Sequence, residues 1–388
     1  MELRSLAPQF KGLRTPFYYY DTRILQHTLE AIHEATAHMD YAHVHYAIKA
    51  NANPKILKQI AQAQLGADCV SGGEIQAALD AGFPASKIVY AGVGKSDWEI
   101  NLGIDNDIAC FNVESLPELE IINELAAQKQ KVARVAFRIN PNVDAHTLAK
   151  ITTGLNENKF GIAMEDMEGA ILHAQSLSNI EYIGLHFHIG SQILDLEVYE
   201  ALCQRINELQ DQLEAQGITT RTINVGGGLG IDYHTPHKHP VPKFDQYFDI
   251  FKQHLKLRPG QELHFELGRS VVAQCGSLIA STLYVKKGHS KQFLIVDAGF
   301  TELVRPAMYG SHHFTENLSS DAKTIETYDV VGPICESTDV FSKGEKLPTS
   351  SRGDLIAFRS AGAYGEVMAS QYNCRQLPPS YTNKDFEQ

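Results

Sequence analysis

HVHYAIKAN, residues 43–51, is an apolar run that carries two histidines and closes on Lys49. It is the first of eight such runs, the others spanning 68–71, 88–91, 108–112, 132–140, 182–189, 222–225 and 263–267. Segments with helical periodicity follow most of them, as at 54–64 and 113–128. A strand buried on both faces reads as a short continuous apolar run, and strand alternating with helix eight times is the pattern of a parallel (β/α)8 TIM barrel. In that architecture chemistry gathers at the C-terminal ends of the strands, where the loops converge. The eight runs place Lys49, His188, the Gly226-Gly227-Gly228 triplet and Glu266 at such ends.

The bulk numbers agree with an enzyme of this size. At 388 residues the chain exceeds one ordinary core, so two domains are expected. Apolar content of 43% and charged content of 21% suit a soluble globular enzyme. A net charge of −12, from 34 basic and 46 acidic residues, argues against a nucleic-acid partner and otherwise serves solubility. No apolar run approaches the ~18 residues of a membrane span, so no membrane partner is expected. The start, MELRSLAPQFKGLRTPF, lacks the apolar core of a secretory signal. The six cysteines (69, 110, 203, 275, 335, 374) form no CxxC pair and read as reduced thiols, so a cytoplasmic location is expected.

A tyrosine-rich strand at 17–20 precedes Asp21, which stands where it would cap the first helix. After about Ser270 the helical periodicity weakens, and strands are expected over 277–286, 292–298, 326–331 and 354–358. The expected division is therefore a barrel at 21–270 and an antiparallel β domain at 271–388, which residues 1–20 join through the N-terminal strand. Two long irregular stretches, 141–160 and 234–242, follow barrel strands; the second carries three histidines and reads as a solvated loop.

Lys49 reads in two ways, as a lysine emerging into solvent where its strand ends, or as a desolvated amine nucleophilic towards an aldehyde. His186 and His188, two apart in LHFHIGSQ, share one strand face. No neighbouring Cys, Asp or Glu completes a ligand set, so no metal is expected. His186 reads as a hydrogen-bonded core histidine, and His188, at the strand end, as a flat ring stacked on a flat cofactor. Ser191 follows in a turn where it could donate to a phosphate. INVGGGLG (223–230) allows close backbone approach and lets several N–H groups face one anion, or is simply a tight turn. It fails the dinucleotide fingerprint because Ile231 stands where a glycine is required. HFELGRS (264–270) brings Glu266, which can keep a pyridine nitrogen protonated, and Arg269; a surface Glu–Arg pair is the plainer alternative. An amine, an imidazole, a glycine loop and a carboxylate on one rim form the set that pyridoxal 5'-phosphate requires. In the β domain, VVGPICESTDVF (330–341) sets Cys335 beside Glu336, and SAGAYGEV (360–367) exposes Tyr364; neither reads as catalytic alone.

Together these segments resemble the fold-type III pyridoxal-phosphate enzymes, the alanine racemase and ornithine decarboxylase group, and within it are most similar to the diaminopimelate decarboxylase family. The resemblance runs in order along nearly the whole chain: YAIKAN, DCVSGGE, FRINPNVDAHT, TTGLNENKFG, GLHFHIGSQ, INVGGGLG, ELGRS, VDAGF, RPAMYG, VVGPICESTD and AGAYG. It implies that Lys49 carries the cofactor, that His188 stacks on its ring and that Glu266 binds its pyridine nitrogen. Ser191, Gly228 and Tyr364 would sit at the phosphate, with Asp68, Gly227, Gly268 and Arg269 also on the cofactor. Cys335 would donate a proton, while Arg269, Arg305, Tyr309, Glu336 and Tyr364 would hold the substrate. The implied reaction is decarboxylation of meso-2,6-diaminopimelate to L-lysine, in a homodimer whose CES segment reaches the partner's lysine. A related decarboxylase acting on ornithine, arginine or carboxynorspermidine, an amino-acid racemase, and a non-catalytic cofactor carrier are the alternatives. The chain departs from the family pattern at Leu267 (proline), Ser360 (aspartate) and Leu148 (a polar residue or histidine), none of them assigned to chemistry.

Overall fold

β1 (Phe17–Tyr20) precedes eight strands that close into a barrel: β2 (Ala42–Ala47), β3 (Gly66–Cys69), β4 (Ile88–Tyr90), β5 (Cys110–Val113), β6 (Ala133–Arg138), β7 (Ile180–His186), β8 (Thr222–Asn224) and β9 (Glu262–Leu267). The computed structural model describes residues 3–141 and 159–387. Every neighbouring pair from β2 to β9 is parallel, and β9 returns to β2 with His43 opposite His264 and His45 opposite Glu266. β3, β4 and β5 are buried at every residue, as a sheet covered on both faces demands.

Side-chain caps set where the helices begin. Asn53 accepts from the Lys55 N–H at 3.0 Å, Ser71 Oγ from the Glu74 N–H at 3.2 Å and Ser115 Oγ from the Glu118 N–H at 3.3 Å. Ser96 and Glu99 form a reciprocal capping box. Each cap satisfies an otherwise orphaned donor and stabilises its helix by about 1 kcal/mol. The cap at Ser115 explains why the helical pattern expected over 113–128 becomes a helix only at Leu116–Gln128. Strand β2 likewise stops at Ala47, and Lys49 lies on a single 3-10 turn, Ile48–Ala50.

Alternation along β9 separates two environments. Phe265 is fully buried against Tyr247, Phe248 and Phe251 of the helix Phe244–His254, with ring centroids 5.8, 4.8 and 5.1 Å away. Side chains on the opposite parity, Glu262, His264 and Glu266, therefore point into the barrel. The apolar core lies between strands and helices, while the interior along β9 is polar.

The remaining strands are β10 (Gly276–Lys287), β11 (Gln292–Val296), β12 (Thr315–Asn317), β13 (Ile325–Val331), β14 (Val340–Pro348), β15 (Leu355–Phe358) and β16 (Ser380–Thr382). They form a separate sheet in the order β12-β15-β10-β11-β13-β14, with β1 paired to β10 and β16. The expected joining of the N-terminal strand is thus observed, Phe17 lying opposite Ile279. The sheet is mixed rather than purely antiparallel, because β1 runs parallel to β16 and β11 parallel to β13. Both parallel pairs are joined by long connections, which parallel pairing needs and a hairpin cannot supply. β14, with the half-exposed sequence VFSKGEKLP, has no apolar run and was not anticipated. Leu3, Leu6, Phe10, Phe17, Ile279, Leu318 and Leu355 form an apolar core of this sheet.

Two compact units result: Met1–Thr28, Ile231–Pro242 and Arg269–Gln388 in one, Leu29–Gly230 and Lys243–Gly268 in the other. The stretch expected to be irregular at 141–160, with the departure at Leu148, lies outside the described residues for 142–158. Among the described residues no helix is long and apolar enough to cross a membrane.

Candidate active site

In the barrel unit, Lys49 Nζ stands 3.2 Å from Asp68 Oδ2 on β3, whose side chain is 1% exposed. The other oxygen, Oδ1, is buried without a hydrogen-bond partner among the described residues, so an unsatisfied acceptor lies beside the amine. Burial and the nearby Glu266 charge push the Asp68 carboxyl up, and Lys49 and His186 pull against that.

Glu266 is held the opposite way. Its Oε2 accepts from His186 Nε2–H at 3.0 Å, and its Oε1 accepts from the side-chain amides of Asn112 at 3.1 Å and Asn224 at 2.8 Å. Burial alone would raise its pKa, but His186 and Lys49 outweigh it and hold the carboxylate ionised. A buried anion fixed by three donors cannot rotate away from whatever it faces. His186 is therefore more than a core histidine: it orients the acid. Asn112 and Asn224 were missed from the sequence, although an amide inside an otherwise apolar strand run was the available signal.

His188 follows β7, half-buried. Burial, with the Arg138 and Lys49 charges nearby, pushes it well below the usual imidazole range, so its ring is neutral. The Gly227 N–H points at His188 Nδ1 from 3.4 Å. The triplet is glycine first because backbone passes against it: a Cβ on Gly227 would lie 1.8 Å from the Glu266 carbonyl oxygen, and Gly226 has φ +69°. Ser191 stands in the turn after β7, and Gly268 is buried directly after β9. An amine, an ionised carboxylate, a flat neutral ring and an open acceptor in one cluster fit an aromatic aldehyde with a basic ring nitrogen.

In the β unit, Arg269 and Arg305 are both buried, and both donate to the Tyr233 hydroxyl, at 2.7 and 2.8 Å. Burial would raise the Tyr233 pKa, but the two guanidinium groups outweigh it and lower it. Arg305 also meets His313 Nε2 at 3.1 Å and Ser311 Oγ at 3.2 Å, and pairs with no carboxylate among the described residues. The Arg269 guanidinium lies 5.0 Å from the centre of the Tyr364 ring, and Tyr364 itself takes the left-handed φ of +55°. Such backbone in a non-glycine residue is uncommon and clusters at functional sites. Tyr309 ends the short helix Arg305–Tyr309, half-buried.

Cys335 and Glu336 are exposed, and Glu336 Oε1 accepts from the Tyr372 hydroxyl at 2.8 Å. The buried Asp339 braces their turn by accepting from the Ile334 N–H at 2.8 Å and the Phe300 N–H at 2.7 Å. The structure thus gathers Lys49, Asp68, His188 and Glu266 in the barrel, and Arg269, Arg305 and Tyr364 in the β unit. Tyr233 and His313 had no periodic or motif signal in the sequence, and Asp339, inside VVGPICESTDVF, gave no hint of its bracing role.

Residues 25–273 match the family described as pyridoxal-dependent decarboxylase, pyridoxal binding domain. A diaminopimelate decarboxylase from Bacteroides thetaiotaomicron is 62% identical over 378 residues, covering 97% of this chain and 98% of that one. The crystal structure of diaminopimelate decarboxylase from Helicobacter pylori complexed with L-lysine superposes with a TM-score of 0.90 at 40% identity, over 97% of this chain and 93% of that one. A lysine/ornithine decarboxylase from Vibrio vulnificus complexed with cadaverine shares the fold at TM-score 0.84 and 20% identity, over 98% of each chain.

Proposed function

The chain belongs to the pyridoxal-dependent decarboxylases, and from that membership we propose that it converts meso-2,6-diaminopimelate to L-lysine and carbon dioxide. Identity supports the substrate: it is 62% to the Bacteroides diaminopimelate decarboxylase and only 20% to the lysine/ornithine enzyme. The geometric observation that carries the chemistry is Glu266, an ionised carboxylate locked by His186, Asn112 and Asn224.

When bound, pyridoxal phosphate supplies the electron sink that takes up the pair released as carbon dioxide departs. Lys49 would hold the cofactor's aldehyde carbon, and Glu266 would keep a proton on its ring nitrogen. His188, flat and neutral, would cover one ring face. Ser191, Gly227, Gly228, Gly268 and Tyr364 are assigned to the phosphate, and Asp68 to charge balance at the amine. Arg305, a buried cation with no carboxylate partner among the described residues, suits the substrate's distal carboxylate, as does Arg269. Glu336 suits the distal ammonium, and Tyr309 the substrate backbone. Ornithine and lysine lack a distal carboxylate and would leave a buried guanidinium unsatisfied, which a polar site penalises strongly. Cys335 Sγ returns the proton to the carbon that lost its carboxylate. We assign the chain to the cytoplasm as a homodimer in which Cys335 of one copy serves Lys49 of the other.

Incubation of the enzyme with pyridoxal phosphate and meso-diaminopimelate, alongside ornithine and arginine, tests the reading. Lysine should form, with no putrescine from ornithine and no agmatine from arginine. Either amine without lysine would overturn the substrate assignment.

A further inference from the structure

The barrel has a second polar mouth, at the N-terminal ends of its strands. There the two strands that close the barrel, β2 and β9, lie with His43 directly opposite His264. His264 Nε2 is 3.6 Å from Glu262 Oε2, and His43 Nε2 is 3.9 Å from Glu262 Oε1. One ligand atom from each of the three residues lies within 4.8 Å of the others. Three donors set about 2.1 Å from a tetrahedral ion stand about 3.4 Å apart, so these atoms need only small side-chain rotations to share one.

Hydrogen bonding aims the central donor. His45 is buried, with Nδ1 3.1 Å from the Lys87 carbonyl oxygen and Nε2 2.9 Å from His264 Nδ1. A carbonyl only accepts, so His45 carries its proton on Nδ1. His45 then accepts at Nε2, the bridging proton belongs to His264 Nδ1, and the His264 ring turns its Nε2 towards Glu262. That atom is buried and has no hydrogen-bond partner among the described residues. It faces a carboxylate, which is also an acceptor. Glu262 is half-exposed and keeps water on one side, and a cation between the two groups would satisfy the buried Nε2.

We propose that His43, Glu262 and His264 form a divalent-cation site, with zinc favoured by its two imidazoles and one carboxylate. His45 and the Lys87 carbonyl orient His264, as second partners of ligating histidines do. A cavity of about 600 Å³ is lined by all three ligands, which provides an entry path and room for a water at the fourth position. The ion would join the first barrel strand to the last, residues 219 apart in the chain at the His45–His264 contact, and so lock the closing seam.

Chelator-treated holoenzyme dialysed against zinc chloride tests this, with metal content read by atomic emission and thermal unfolding measured in parallel. Wild type should bind one zinc per chain and gain on the order of 3–5 °C in Tm. His43→Ala and His264→Ala should lose both effects, whereas His234→Ala, in the histidine-rich loop, should retain them. Glu262→Gln keeps the side chain's shape and should weaken zinc binding by about tenfold or more. A wild type that binds no zinc, or equal binding in wild type, His264→Ala and Glu262→Gln, would overturn the site.

Discussion

Glu266 shows how a single charge is kept inside a barrel. An ionised carboxylate removed from water costs several kcal/mol unless donors replace its hydration, and here two amides and an imidazole do so. Glu266→Gln has nearly the same shape but sets an amide N–H₂ against those donors. It should keep bound cofactor while kcat falls roughly 10²–10³-fold, comparable to losing one preorganised electrostatic contact. A near-normal kcat in the loaded variant would remove Glu266 from the chemistry. Glu74 is the converse case. Burial raises its pKa to about 7, although the Val70 N–H donates to it at 2.8 Å. The folded protein therefore binds a proton there that the unfolded chain has already released between its ordinary carboxylate range and about pH 7. Stability from this group is fully present at low pH and declines as pH rises through that window. Thermal unfolding of wild type and Glu74→Gln should diverge over it, with the variant the more stable above pH 7; parallel profiles would refute the assignment.

At the scale of elements, β9 divides labour by parity. Leu263, Phe265 and Leu267 are buried, and the helix Phe244–His254 covers Phe265 with three aromatic rings, while Glu262, His264 and Glu266 line the interior. Phe265→Ala should cost about 3–5 kcal/mol in urea unfolding, because the ring cluster cannot collapse into the space. A loss below about 1 kcal/mol would mean that the strand–helix layer is not what holds β9 in place. The alternation HFEL was visible beforehand, but its sense was not, since which parity faces the helices depends on where the strand sits in the closed sheet. The turn at 332–339 follows the same logic: Cys335 and Glu336 are legible as neighbours, whereas the bracing by Asp339 depends on Phe300 from another strand connection.

For the whole molecule, the proposed active sites are shared between copies, which predicts complementation. Lys49→Ala and Cys335→Ala should each be inactive alone. After subunit exchange about half the dimers are mixed, and each mixed dimer holds one intact site of two, so activity should recover to about a quarter of wild type. No recovery despite demonstrated exchange would assign each site to one chain.

Periodicity in the chain was enough to specify a parallel eightfold barrel followed by a β domain, because burial on both faces of a strand leaves an unbroken apolar run that local sequence records. The ends of those runs also exposed Lys49, His188, the glycine triplet and Glu266, since a polar group closing a buried strand is conspicuous. What local sequence could not record is pairing between distant residues. Asn112, Asn224 and His186 meet Glu266 only when four separate strands close into one ring, and Tyr233 meets Arg269 and Arg305 only when a loop folds beside them. The parallel β11–β13 pair is equally non-local. Strand identity is written in neighbours a few positions apart, whereas partner choice is a property of closure, and closure exists only in three dimensions.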